Sequence, residues 1–300
     1  MKSDRAIPLL LFGIVMTTLP CTGAFADHPI EVQRKTAAGE YFDALVSFER
    51  IPSKRRTVDS QIAAAKSAWA LGLSSRASAD FESLVRNTKL APVDEARIQL
   101  SRGIIEYQEK RFQVAALFSE KVVRLLKDES PLRSRAWMLW GKSLVELGAH
   151  GAAQEKFQNA LLGAEGTALP EVYFHLGKAQ LKLGILDEAK ASFEMIPLGY
   201  ERTPEAIRSL AQIAHEQHES KAVLFWLEKG RTDYPDAFLD SWVDYAMLGA
   251  AADLDDVERM REIRKEAREK YPPSDIWLTL LEAAAERSEW DHQFAVKGGE

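Results

Sequence analysis

An all-α, right-handed solenoid of stacked helix-turn-helix repeats is the fold this sequence predicts, and three observations predict it. An alanine recurs at Ala44, Ala77, Ala115, Ala153, Ala189 and Ala222, in steps of 33, 38, 38, 36 and 33 residues. Four places after each stand Phe48, Phe81, Ser119, Phe157, Phe193 and Trp226, aromatic in five of six positions although only 9% of the chain is aromatic. Twelve places before four of the alanines stand Ala65, Gly103, Gly141 and Gly177. A glycine inside a helix costs up to ~1 kcal/mol relative to alanine, so its recurrence needs a packing reason. Small residues let the first helix of a unit approach the alanine of the second, with the aromatic side chain one turn later filling the wedge beside them.

The segments are helical in their own right. After Asp27 apolar residues recur three and four apart, Ala, Leu, Glu, Lys, Arg and Gln dominate, and no strand-like alternation stands out. Pro52, Pro92, Pro131, Pro170, Pro197, Pro204, Pro235, Pro272 and Pro273 fall between helical segments, where a missing N–H costs little. Gly72, Gly148 and Gly184 supply turns between paired helices. The near-copies "SFERIP" (47–52) and "SFEMIP" (192–197) stand four repeat steps apart. In each, Phe48 or Phe193 fills the wedge, Ile51 or Ile196 faces the next unit, and Pro52 or Pro197 ends the helix.

The elements follow in order. Residues 1–26 read as a secretory leader: Lys2 and Arg5, then the uncharged "AIPLLLFGIVMTTLP", then "AFA" at 24–26, with cleavage expected after Ala26. A retained anchor fits less well, because the apolar run is shorter than the ~20 residues a bilayer needs and contains Pro8. A lipid on Cys21 also fits less well, because Pro20 stands where a small residue belongs. Repeats are then expected near 27–56, 57–93, 94–131, 134–168, 170–202 and 203–235. A degenerate pair follows at 236–271, then a capping helix at 274–290 with an N-cap at Ser274, and a frayed tail at 292–300.

"WMLWGKSL" from Trp137 with "AQEKF" from Ala153, and "YFHLGKAQLKLG" from Tyr173 with "AKASF" from Ala189, resemble the tetratricopeptide repeat. That family repeats a roughly 34-residue helix-turn-helix unit, with W-x2-L-G-x2-Y in its first helix and A-x3-F in its second. The resemblance implies an α-solenoid of about seven to eight helix pairs acting as a non-catalytic scaffold that binds protein partners. Together with the leader it implies a periplasmic or secreted adaptor in the bacterial cell envelope, serving envelope assembly, secretion or surface-polymer export. Membrane association would then come only through a partner or through an uncleaved or lipidated N-terminus.

Composition limits other roles. The single cysteine, Cys21, lies in the leader, so a mature chain has no disulfide and no thiolate site. A formal net charge of −6 argues against generic binding to nucleic acid or anionic membranes. "AWMLWGKS" (136–143) matches a relaxed phosphate-loop expression, but Trp137 to Trp140 occupy a helix where that chemistry needs a flexible glycine-rich loop, so no nucleotide is expected. "HEQHE" (215–219) sets His215 and His218 three apart, not the four of a zinc-protease helix, and reads as a turn between helices. No partnered nucleophile or specific carboxylate pair emerges, and no cofactor is implied.

In the family the first helices line the inner groove. Carried onto this chain, that geometry makes Ile62, Lys66 and Trp69 neighbours of Leu100, Ile104 and Tyr107, followed by Met138, Lys142 and Val145, then by Phe174, Lys178, Leu181 and Lys182. An apolar stripe edged by lysines results, suited to an extended or helical partner segment. The resemblance further implies that Lys142 and Lys178, one repeat apart, stack along the groove. The lysine and asparagine set with which family members clamp a C-terminal carboxylate is not reproduced, since Ile104 and Ala211 stand where asparagine is expected. A polysaccharide- or peptidoglycan-binding solenoid using Trp69, Tyr107 and Phe174 is the alternative, as is an accessory subunit of an envelope enzyme.

Overall fold

The computed structural model describes residues 28–297. The leader, its cleavage point after Ala26, and Cys21 lie outside the described residues. Among those described there are fifteen α-helices, two short 3-10 turns and no strand. The chain divides between Asp80 and Phe81 into two compact units.

The first unit holds α1 (Pro29–Ala37), α2 (Tyr41–Arg50), α3 (Val58–Ala70) and the start of α4 (Ser74–Asn87), which runs across the division. Thr57 caps α3, its hydroxyl accepting from the Ser60 N–H at 3.2 Å. Polar side chains join the helices: Lys35 donates to Ser47 Oγ across α1 and α2 at 2.7 Å, and the Thr36 and Ser67 hydroxyls meet at 2.8 Å between α1 and α3.

The second unit contains the end of α4 and five helix pairs. These are α5 (Pro92–Gln108) with α6 (Phe112–Leu125), α7 (Pro131–Glu146) with α8 (His150–Leu161), and α9 (Ala168–Lys182) with α10 (Leu186–Glu194). Then come α11 (Thr203–Glu216) with α12 (Ser220–Asp233), α13 (Ser241–Asp253) with α14 (Val257–Lys270), and a final α15 (Ile276–Lys297). Ser192, in the second "SFE", donates to Gln180 Oε1 at 2.7 Å, the same twelve-residue span as the Lys35–Ser47 contact in the first unit. The shared serine thus ties each second helix to its own first helix.

The packing reason for the recurrent glycine is an aromatic ring laid directly on it. A Cβ at Gly141 would stand 2.5 Å from the Phe157 ring, and one at Gly177 would stand 3.0 Å from the Phe193 ring. The sequence reading put the ring in a wedge beside the alanine; the structure puts it on the glycine itself. Where Ser119 replaces the aromatic, its hydroxyl folds back onto Ala115 O at 2.9 Å, and Leu139 and Phe118 cover Gly103 instead.

Each of seven helix pairs turns on one residue in the left-handed region. Gly39 and Gly72 hold φ of 78° and 79° in the first unit; Gly148 and Gly184 hold 75° and 73° in the second. Lys110, His218 and Asp255 occupy the equivalent turns at 59°, 57° and 57°. The hydrogen bonding is common to them: the Gly148 N–H reaches Val145 O and the Ala149 N–H reaches Leu144 O, and the bonds around His218 and Asp255 repeat this pattern. Asp255 therefore marks α13–α14 as a pair of the same kind, although the alanine and aromatic landmarks are gone there.

Three expectations are corrected. Pro92, Pro131, Pro170 and Pro204 lie not between helices but in the first turns of α5, α7, α9 and α11, where a missing N–H has no intrahelical partner to lose. The cap of α15 is Asp275, whose carboxylate accepts from the Trp277 and Leu278 N–H groups at 2.8 and 3.0 Å, and not Ser274. That helix also runs on to Lys297, through most of the expected tail, because neither glycine nor proline interrupts it between Ile276 and Lys297. Arg264 and Arg268 of α14 hold α15 through the Glu282 carboxylate.

Candidate functional site: a pocket between two first helices

Residues spaced by three and four share one helix face, and the facing stripes of α5 and α7 enclose a concave pocket of about 310 Å³. From α5 come Leu100, Ile104, Tyr107 and Gln108; from α7 come Arg135, Met138, Leu139 and Lys142. Leu100 and Leu139 are buried and form the floor, packed with Ala96, Val122 and Ala136; Ile104 and Tyr107 are half-buried against the same cluster. The Tyr107 ring meets Phe112 edge-on at 5.4 Å and its hydroxyl lies 3.4 Å from Glu146, with burial first and then Glu146 pushing the phenol pKa up. Five residues singled out in the sequence thus come together: Leu100, Ile104, Tyr107, Met138 and Lys142. Gln108, Arg135 and Leu139 were not among those singled out.

Lys142 does not stand free along a groove. Its ammonium lies 3.4 Å from the Glu171 carboxylate of α9. Glu171 also accepts from His175 Nε2 at 3.0 Å and from the Tyr200 hydroxyl, and Arg202 Nε lies 3.6 Å away. The His175 hydrogen bond, seconded by Tyr200 and Lys142, holds the Glu171 carboxyl far below the usual carboxylate range. His175 is stacked on Phe157 at 5.6 Å, and burial lowers its pKa against the opposing pull of Glu171. One carboxylate thereby joins α7, α9 and the connection into α11.

The other residues of the expected groove separate. Phe174 is only 3% exposed, packed against Phe193, Ile196, Leu210 and Ile213 with the Arg202 guanidinium over its ring, so it belongs to the core and offers no stacking platform to a polymer. Lys178 and Lys182 are exposed on α9, and neither has a partner among the described residues. With Lys142 held by Glu171, the expected lysine stack is not formed as a pair of free cations. Lys66 and Trp69 lie half-buried on α3 in the first unit, where Ile62 is buried.

The two motif look-alikes take structural places. "AWMLWGKS" is continuous helix within α7, with Gly141 under the Phe157 ring. His218 is the left-handed residue between α11 and α12, His215 lies in the last turn of α11, and Glu219 pairs with Lys190 at 2.8 Å. Among the described residues no group of three His, Cys, Asp or Glu is placed to hold a metal, and no helix is long and apolar enough to cross a membrane.

Short antiparallel helix pairs, each turning on a left-handed residue and several closed by an aromatic ring on a small one, define a tetratricopeptide-type α-solenoid fold. Solved structures of that fold are similar to this chain. The C-terminal part of a TPR repeat-containing protein from Cytophaga hutchinsonii aligns over 85% of this chain and 99% of its own, with TM-score 0.65 and 14% identity. PilF of Pseudomonas aeruginosa aligns over 70% and 92%, with TM-score 0.56 and 17% identity. YrrB, described as a TPR protein with an unusual peptide-binding site, aligns over 68% and 96%, with TM-score 0.55 and 16% identity. No protein-family model and no curated protein sequence matches the chain.

Proposed function

We propose that this protein is a non-catalytic interaction scaffold of the bacterial cell envelope that receives a segment of a protein partner in the pocket between α5 and α7. The pocket carries the reading: an apolar floor with polar groups confined to its lip is the geometry that anchors one side chain of a bound segment. The peptide-binding site of YrrB, a protein of the same fold, supports it. The envelope address rests on the N-terminal pattern of residues 1–26.

A photo-crosslinking residue at Gln108, on the exposed lip of the pocket, tests the scaffold, with one at the exposed Arg124 of α6 as control. Protein adducts are expected from Gln108 and not from Arg124; equal yields from both, or none from either, would refute the pocket. N-terminal sequencing of the chain recovered from a periplasmic extract should begin at Asp27. Recovery of the intact leader on a cytoplasmic chain would refute the address.

A further inference from the structure

We infer that the pocket selects a partner segment bearing one large apolar side chain with an acidic residue within two positions of it, and that Arg135 reads the acid. This rests on the pocket being a partner site and adds what the partner must look like. At about 310 Å³ the pocket lies at the bottom of the range for complete small-molecule ligands, which suits a single anchoring side chain better than a length of chain. Its floor and walls, Leu100, Leu139, Ile104 and Met138, present no hydrogen-bonding group to that anchor. The thioether of Met138 adapts to different apolar shapes, so the anchor is specified by size and apolarity more than by identity.

The charge at the lip is what discriminates. Lys142 is countered by Glu171 at 3.4 Å, and that carboxylate is itself drawn toward three further donors. Arg135 is exposed, and among the described residues it has no hydrogen-bond, ion-pair or ring partner. Of the two charged side chains that line the pocket, the one without a counter-ion is therefore Arg135, whose planar fork matches a carboxylate with two parallel hydrogen bonds. Exposed Lys178 and Lys182 add the same sign on the next first helix. This local positive lip on a chain of formal net charge −6 favours an isolated acidic residue beside the anchor over a long acidic run, which the rest of the surface repels.

Random decapeptides displayed on phage and panned against the immobilised full chain test the inference, with Arg135→Glu and Gln108→Trp panned in parallel. Arg135 and Gln108 are both exposed, and unchanged melting of each variant confirms that its fold is intact. The expected result is an enriched motif with an apolar residue and Asp or Glu within two positions. The best such peptide, synthesised and measured by fluorescence anisotropy, should bind Arg135→Glu roughly tenfold more weakly, and that variant should enrich Lys or Arg in place of the acid. An apolar motif without acidic preference, or binding to Arg135→Glu within about twofold of wild type, would overturn the role of Arg135 and leave the pocket standing. No motif above background, or a motif bound equally well by Gln108→Trp, would overturn the pocket itself.

Discussion

Replacing Gly141 with alanine should destabilise the protein even though alanine is the better helix former. The new methyl would stand 2.5 Å from Phe157 Cε1, 2.7 Å from Cδ1 and 2.9 Å from Cζ, where ordinary carbon contacts are roughly 3.5–4.0 Å. The ring must retreat by about 1 Å to restore that spacing. It is fully buried and stacked on His175, which is anchored in turn by Glu171, so retreat disturbs a neighbour that is itself held. Overpacking of this kind costs roughly 2–3 kcal/mol, offset by the ~1 kcal/mol that alanine gains over glycine in a helix, leaving a net loss of ~1–2 kcal/mol. Gly249, in α13, is the matched control, since a Cβ there meets nothing within 4 Å, and Gly249→Ala should stabilise by up to ~1 kcal/mol. Urea melts followed by far-UV circular dichroism read both variants. If Gly141→Ala raises the midpoint as Gly249→Ala does, the ring-on-glycine joint is not what sets that residue.

Other outcomes follow from the same geometry. Lys110→Gly, His218→Gly and Asp255→Gly should each stabilise by about 0.5–1 kcal/mol in thermal melts, because each relieves a left-handed backbone at a non-glycine residue, whereas Gly184→Ala should lose about 1 kcal/mol. Tyr200→Phe removes one donor from Glu171 and should cost about 1 kcal/mol in urea melts, while Glu171→Ala should cost more because Lys142, His175 and Arg202 lose their common acceptor. Burial lowers the His175 pKa, so the unfolded chain takes up a proton near its ordinary 6.5 before the folded one does; stability from the neutral ring is complete above that pH and declines below it. His175→Gln should flatten the fall in melting temperature between about pH 7 and 5.5, and an unchanged slope would refute that assignment. Glu171, held low in the folded state, contributes stability that is complete above its ordinary 4.5 and lost as pH falls toward its folded value, so Glu171→Gln should blunt the separate loss below about pH 4.

The repeat joints are legible in the sequence because both partners are distinctive residue types at a fixed offset: a small residue, an alanine twelve places on, and an aromatic four beyond that. The turns are half legible. Glycine announces a left-handed backbone at Gly148 and Gly184, but Lys110, His218 and Asp255 adopt it with no compositional mark, and only the recurrence of their hydrogen bonds reveals them. The pocket is legible through spacing, since Leu100, Ile104 and Tyr107 share a face of one helix as Met138 and Lys142 do of another. Phe174 stands 36 residues after Met138, yet α11 and Ile196 close over it, which depends on the neighbouring repeat and not on its own helix. The Glu171 cluster is illegible for the same reason. Its members lie between positions 142 and 202 and meet only when three elements approach, and the freedom of Arg135 is likewise a property of its surroundings.

The Glu171 clasp gives the pocket two unlike walls. Behind α7, a single carboxylate reaches Lys142, His175, Tyr200 and the Arg202 guanidinium, so bending there must part several polar contacts at once. On the other side, α5 meets α7 through the apolar cluster around Leu100 and Leu139 and through the exposed 3.4 Å contact between Tyr107 and Glu146. The two walls are accordingly held by unlike forces: α7 is tied by polar contacts that run on through α9 to the approach to α11, and α5 is held by apolar packing shared with Val122 of α6.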